Sequence, residues 1–239
     1  MEDLNCWASK FEFCYYSNRL ITKILSLNKH NHVQDQVNLT EVKKAIYYAK
    51  KYHGEQKRET GEPYYSHPIE VAYLISDYLF TTEVIIVSIL HDTIEDTNLT
   101  AEMISVIFDP KIANKVEDLT RIKLDQKLTS TEILEKLYIQ KKKDVLTIKL
   151  FDRLHNLHTI NVKSIDRIKD TVLETLKSFL TIAVYCELKD VEHELSDLCF
   201  SIQLRLCLLE EQHCCFSYDN FQLPYLNCRS NILQMYSQR

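Results

Sequence analysis

The chain has 239 residues, of which 45% are hydrophobic and 26% charged, enough apolar material for a buried core in one domain with extensions or in two small ones. Its net charge of -5 argues against a surface for duplex DNA, while leaving room for a local basic patch around one polyphosphate. The longest apolar run, Val84 to Leu90, falls far short of the roughly 20 residues that a bilayer-spanning helix needs, so no membrane partner is expected.

In chain order, the opening MEDLNCWASKFEFCYYSNR is acidic at its start and lacks a basic region followed by an apolar core. No secretory leader is expected, and the cytoplasm is the expected location. Residues 1–37 are amphipathic in part and read as an N-terminal extension. Thr40 is placed to cap a helix through Val42, Ala45, Ile46 and Ala49 to about Tyr52, which Gly54 ends. The chain has only two glycines, Gly54 and Gly61, and both fall in HGEQKRETGEPYYSHP, which therefore reads as a deliberate loop. Elsewhere the near-absence of glycine, with only four prolines, favours long helices and tight polar connections, so the fold class read here is an all-α bundle.

Pro68 suits the first turn of the next helix, which carries Ile69, Ala72, Tyr73 and Ile75, and Thr82 opens a helix through SILHD. Thr100 caps AEMISVIF, which stops near Pro110, and a further helix spans 111–119. Ser130 precedes a periodic stretch through Ile133, Leu134, Leu137 and Tyr138. The run Lys141, Lys142 and Lys143 reads as a solvated face, after which DVLTIKLFDRLHNLHTI forms its own helix with Asp144 at the positive end. Helices over 167–186 and 188–203 complete the bundle, and 204–239 reads as a cysteine-rich C-terminal extension. The eight cysteines leave 38–185 empty and form no CxxC pair, which disfavours a disulfide framework and zinc-finger spacing alike.

The stretch SILHDTIEDT carries His91, Asp92, Glu95 and Asp96 directly after an apolar run. On a helix His91 would stand above Glu95 and Asp92 above Asp96, making two acid-bearing stripes. A His-Asp pair closes on one metal ion through an imidazole nitrogen and a carboxylate oxygen when other ligands arrive from elsewhere. Alone, the dipeptide is a weak signal that an ordinary helix end also satisfies. His67, which ends the glycine loop, and Asp152, in a second amphipathic helix, strengthen it. Asp152, Asn156 and Thr159 follow an i, i+4, i+7 spacing beside Leu150, Leu154 and Leu157, so one polar row would enter the interior. An unpaired buried carboxylate is costly, whereas the two histidines and two aspartates satisfy one another around a divalent ion. A set of two nitrogens and two oxygens tolerates manganese, iron or zinc.

The segments QKRETGEPYYSHPIEVA at 56–72, LHDTIEDT at 90–97 and IKLFDRLHNLHT at 148–159 resemble the hydrolase domain of the RelA/SpoT proteins, a branch of the HD phosphohydrolases. ETLKSF at 174–179 and LKDVEHELSDLCF at 188–200 look like the helices that close that domain, so the resemblance covers about 40–203. It implies a multi-helix HD-domain bundle with a buried metal site over 38–203, holding one manganese(II) ion on His67, His91, Asp92 and Asp152. It further implies Glu95 and Asp96 as the catalytic acidic pair that helps activate and orient the attacking water. Arg58 matches an arginine that packs on the guanine base, a role its planar cation suits, and Asn156 and Thr159 match residues at the nucleotide sugar and phosphates. His155 and His158 read as packing or helix-surface residues, and Lys149 as a partner for a nearby acid.

The activity so implied is a manganese-dependent guanosine-3′,5′-bis(diphosphate) 3′-pyrophosphohydrolase of the small stand-alone type, converting the guanosine tetra- or pentaphosphate (p)ppGpp to GDP or GTP and pyrophosphate. No synthetase activity is expected, because the chain ends soon after the hydrolase-like region. Two positions depart from the family pattern. Glu59 stands where hydrolase-competent relatives usually carry lysine, and a like charge there weakens polyphosphate binding by about 1–3 kcal/mol if partly desolvated. Asp118 replaces the usual glycine in a segment leading toward the site. The alternatives are an HD phosphohydrolase acting on another nucleotide such as NADPH, a catalytically weak nucleotide-binding regulatory module, and a scaffold whose cysteine-rich tail makes a protein contact.

Overall fold

The computed structural model describes residues 6–120, 122–123 and 126–211. The chain divides into two compact units, over 1–155 and 156–239. The first contains α1 (Trp7–Lys10), α2 (Tyr15–Asn28), α3 (Leu39–His53), α4 (Ser66–Ile75), α5 (Thr82–Leu90), α6 (Thr93–Asp96), α7 (Ala101–Ile107), α8 (Pro110–Leu119), α9 (Ser130–Ile139) and most of α10 (Lys143–His158). The all-α reading holds, with one small addition: strands β1 (Ile122–Lys123) and β2 (Gln126–Lys127) pair antiparallel between α8 and α9.

Helix α5 is the axis of the first unit. Every residue from Val84 to Leu90 is buried, the pattern of a helix with no solvent face, and α3, α4 and α8 pack against it. The N-terminal segment also joins this core. Helix α2 buries Leu20, Ile21 and Ile24, lies on α4, and ties down by Arg19 to Glu70 at 2.6 Å and Lys23 to Asp77 at 2.6 Å.

Several expected boundaries shift for local reasons. The cap of α3 is Asn38, whose side chain accepts from the backbone N–H groups of Thr40 and Glu41; Thr40 lies inside the helix. Likewise Thr81 caps α5 and Thr129 caps α9, the latter in a capping box with Glu132. Asp109 caps α8, and Thr100 caps α7 as expected. Lys141 adopts a left-handed backbone with φ 56° between α9 and α10, and Lys142 pairs with Asp118. The lysine run is therefore a turn tied to α8 rather than only a solvated face. Asp118 itself sits in α8 with a second partner, Lys136, at 3.4 Å.

The second unit contains α11 (Ile165–Glu174), a wide helical turn over Thr175–Phe179, α12 (Leu180–Tyr185) and α13 (Lys189–Glu211). The first three run on without a break, close to the expected helix over 167–186, and α13 packs on α12 and α11. Helix α13 continues beyond Gln203 to Glu211. Cys6, Cys14, Cys186, Cys199 and Cys207 are all free thiols; Cys214, Cys215 and Cys228 lie outside the described residues. No described helix is long and apolar enough to cross a membrane.

Candidate metal centre

The glycine loop delivers the first donor. Gly54 ends α3 with φ 52° and Gly61 turns the loop with φ 89°, backbone angles that side-chain-bearing residues rarely adopt. Arg58 N–H donates to the Glu62 carbonyl at 2.9 Å and Tyr64 N–H to the Gln56 carbonyl at 2.8 Å, closing the loop on itself. The chain then enters α4 with His67 in the first turn, 3% exposed.

The second and third donors sit at a break. The expected continuous helix through SILHD and beyond does not form: α5 ends at Leu90 and α6 begins at Thr93, with His91 and Asp92 between them. The two stripes expected from continuous helical spacing give way to a junction that turns His91 and Asp92 toward the same place. His91, 1% exposed, donates from Nδ1 to the Ser88 carbonyl at 2.8 Å. That bond leaves its Nε2 as the atom facing the cluster. Asp152, 7% exposed, comes from the middle of α10.

The donor atoms of His67, His91 and Asp152 all lie within 4.8 Å of one another. His67 Nε2 is 3.2 Å from Asp152 Oδ1 and 3.5 Å from Asp92 Oδ2. His91 Nε2 is 3.0 Å from Asp92 Oδ1 and 3.9 Å from Asp152 Oδ1. Ligands about 2.1 Å from a common ion stand ~3–4.2 Å apart, so these separations suit one cation between them. The buried His91 Nε2 has no acceptor in hydrogen-bond geometry despite its neighbours. An orphaned nitrogen facing carboxylates is what a missing cation leaves behind.

Electrostatics agree with that reading. Burial alone would raise the Asp152 carboxyl, but the Lys149 ammonium, 3.0 Å from Oδ2, and the two imidazoles outweigh it and hold Asp152 well below the usual range. Asp92 is also held low: the His91 and His67 rings overcome the penalty of burial. Burial pulls His91 down, yet Asp92 and Asp152 push it up to about 10. His67 moves the other way, lowered by burial. A proton held on His91 sets one positive charge beside the two carboxylates. The sequence reading of Lys149 as an acid's partner therefore holds, and the acid is Asp152.

Around the cluster, Arg58 NH1 lies 3.2 Å from His155 Nδ1, and that atom lies 2.9 Å from His67 Nδ1. Asp96 accepts from the Tyr64 hydroxyl at 2.7 Å, and its backbone carbonyl accepts from Gln56 at 2.9 Å. Burial and the Asp92 charge push the Tyr64 phenol far up, so it stays a donor. Glu95 is half-buried in α6 and Glu59 is exposed on the loop. Asn156 and Thr159 belong to the second unit, at the end of α10 and just beyond it.

Three residues here escaped the sequence. His155 is one helical step, i+3, from Asp152, a spacing that places both on one face. Tyr64 stands three residues before His67 in the loop. His53, buried at the end of α3, stacks on Tyr64 at 4.8 Å and reaches Gln56 at 2.9 Å; no spacing rule pointed to it.

Comparison with known proteins decides the family. Residues 45–184 match the HD domain. The chain belongs to the HD-domain family. Among relatives, it is 39% identical over 170 residues to a protein of Brucella ovis named GTP pyrophosphokinase rsh, covering 69% of this chain and 23% of that one. It is 37% identical to a protein of Aquifex aeolicus and 34% identical to one of Spiroplasma citri, both named guanosine-3′,5′-bis(diphosphate) 3′-pyrophosphohydrolase. These matches cover 67% and 72% of this chain, and 23% and 24% of the relatives. The HD-domain chain thus spans about a quarter of the curated relatives it matches. A solved structure described as a metazoan orthologue of SpoT that hydrolyses ppGpp shares the fold, with TM-score 0.54 and 22% identity over 67% of this chain and 94% of that one. The resemblance to the RelA/SpoT hydrolase domain read from the motifs is met.

Proposed function

We propose that this HD-domain chain is a cytoplasmic, manganese-dependent 3′-pyrophosphohydrolase of (p)ppGpp, releasing pyrophosphate and leaving GDP or GTP, with the activity carried by 38–203. The observation that carries the reading is the buried cluster of His67, His91 and Asp152 with the partly exposed Asp92 beside it, set in a chain whose relatives include two named for this reaction. Those four side chains would hold the cation, and their nitrogen and carboxylate donors fit manganese without selecting it over iron or zinc. A divalent ion supplies Lewis acidity toward phosphate oxygens and acidifies water.

The chain's own residues do the rest. In the reaction, the oxygen of water bonds to phosphorus of the 3′-diphosphate, the bond from phosphorus to the 3′-oxygen breaks, and that oxygen leaves with a proton. Glu95 and Asp96 manage the proton taken from water. The Tyr64 hydroxyl orients Asp96 by donating to Oδ2, leaving the other carboxylate oxygen for the reaction. Arg58 stacks on the base, and Asn156 and Thr159 contact the sugar and phosphates. Glu59, exposed on the same loop, sets a negative charge near the polyphosphate and favours one rival, an HD phosphohydrolase acting on another nucleotide such as NADPH.

The test is turnover of ppGpp, pppGpp and NADPH side by side with manganese, for the native chain and for the double variant Glu95→Ala, Asp96→Ala. The proposal expects ppGpp and pppGpp to yield pyrophosphate and the variant to lose about 100-fold or more in rate. Preferential turnover of NADPH supports the rival, and metal binding without turnover of any of the three supports a regulatory module. Including GTP with ATP in the panel measures whether pyrophosphate transfer also occurs.

A further inference from the structure

Asp96 closes α6, a helix of four residues, and is exposed there. So short a helix adds little order of its own, and the carbonyl of its last residue finds no partner inside it. The glycine loop grips the residue twice. Gln56 Nε2 donates to the Asp96 carbonyl at 2.9 Å, and the Tyr64 hydroxyl donates to Oδ2 at 2.7 Å. The two grips are joined, because Tyr64 N–H donates to the Gln56 carbonyl at 2.8 Å. Behind both stands His53, 1% exposed at the end of α3, with Nδ1 2.9 Å from Gln56 Oε1 and its ring stacked on Tyr64 at 4.8 Å. A backbone carbonyl only accepts, so Gln56 turns its NH2 to Asp96 and its oxygen to His53. That oxygen only accepts in its turn. His53 Nδ1 is therefore the donor whether or not the ring is charged, and the direction of these bonds does not depend on its titration.

Packing alone does not account for a histidine here. Its Nε2 is buried with no hydrogen-bond partner among the described residues, a cost that an apolar ring of similar outline avoids. We propose that His53 is a positioning residue for Asp96: it fixes the Gln56 amide by a hydrogen bond and the Tyr64 ring by stacking, and through them the backbone and the carboxylate of the acid. Helix α3 runs for 15 residues and buries Val42, Ala45, Ile46 and Ala49 in the core of the first unit. A side chain locked into that core thus passes its order outward, through the loop, to an exposed acid. The kinetic part of the inference rests on the reading of Asp96 as a proton-handling group; the bonded path from His53 to Asp96 rests on the distances alone.

The test uses the full chain. Nitrogen relaxation of the Gln56 side-chain amide should report an ordered group in the native protein, and His53→Phe, which keeps the stacked ring and removes the donor, should leave it mobile. A mobile Gln56 amide in the native chain overturns the proposal, as does an amide equally ordered in the variant. In turnover of ppGpp with manganese, His53→Phe should lower kcat about 3- to 10-fold, the worth of one hydrogen bond, with KM and manganese affinity unchanged and the melting temperature no lower. Gln56→Ala should lower kcat by a similar factor, and the double variant by no more than either alone. Losses that multiply in the double variant overturn the proposal, as does a raised KM with native kcat in His53→Phe. Gln56 is exposed, so Gln56→Ala still decides the matter if His53→Phe fails to fold: native kcat in that variant overturns the proposal. Should the native chain turn over no ppGpp, the reading of Asp96 fails and the relaxation data alone decide whether His53 fixes Gln56 against it.

Discussion

At His91 burial and charge oppose each other. Withdrawal from water favours the neutral ring, while Asp92 and Asp152 push the group up to about 10. A cation needs the neutral ring, so at about pH 8, below that value, binding must expel the proton on His91. His67, lowered by burial, is already neutral there and releases none. Manganese titrations in buffers of different ionisation enthalpy should therefore report about one proton released near pH 8; release of none would contradict the assignment. Lys149 gives a second expectation. It is buried against Asp152 at 3.0 Å, and removing one partner of a buried pair costs about 3–5 kcal/mol. A bound cation compensates Asp152, so Lys149→Met should lower the melting temperature of the metal-free protein more than that of the loaded one. Tyr64→Phe removes only the donor to Asp96, and should lower kcat by up to about tenfold, the worth of one hydrogen bond, with manganese affinity unchanged.

Helix ends supply most of the site, and one helix interior, that of α10, supplies Asp152. His67 enters at the first turn of α4, His91 and Asp92 at the α5–α6 junction, and Arg58 from the glycine loop. The interiors were legible because apolar spacing reports them: the buried run Val84–Leu90 of α5 and the leucine face of α10 read directly from sequence. The glycine loop was legible because only glycine readily supplies its positive φ angles. The α5–α6 break was not, since His91 and Asp92 keep near-helical backbone angles and no proline or glycine marks the place. Caps were misjudged by a residue or two because Asn, Thr and Ser crowd those boundaries and only the hydrogen bond tells them apart. That distinction is measurable. Asn38→Ala should cost about 1 kcal/mol of stability, and Thr40→Ala, inside α3, no more than about 0.5 kcal/mol; equal losses would return the cap to Thr40.

A chain of net charge -5 that receives a polyanion must supply positive charge locally. The cluster becomes positive only when a cation joins it, since its two carboxylates offset the raised imidazole of His91 and the Lys149 ammonium. In sequence the four proposed ligands read as two histidines and two aspartates that would satisfy one another around one ion, a set the resemblance also implies, and the folded chain brings three of them, His67, His91 and Asp152, together as buried donors. Their distances, the contacts of His155 and the orphaned nitrogen of His91 came from the folded chain, because contacts across α4, α5 and α10 leave no local trace in sequence. Manganese at 100 times its dissociation constant should add ~2.7 kcal/mol of stability through preferential binding to the folded state, seen as a rise in melting temperature that a chelator reverses. The most direct measurement follows ppGpp by phosphorus NMR with the metal-free protein, before and after manganese is added. The account expects an unchanged spectrum at first, then the appearance of GDP and pyrophosphate together in equal amounts. Persistence of ppGpp after manganese has bound, or release of orthophosphate instead of pyrophosphate, would contradict it.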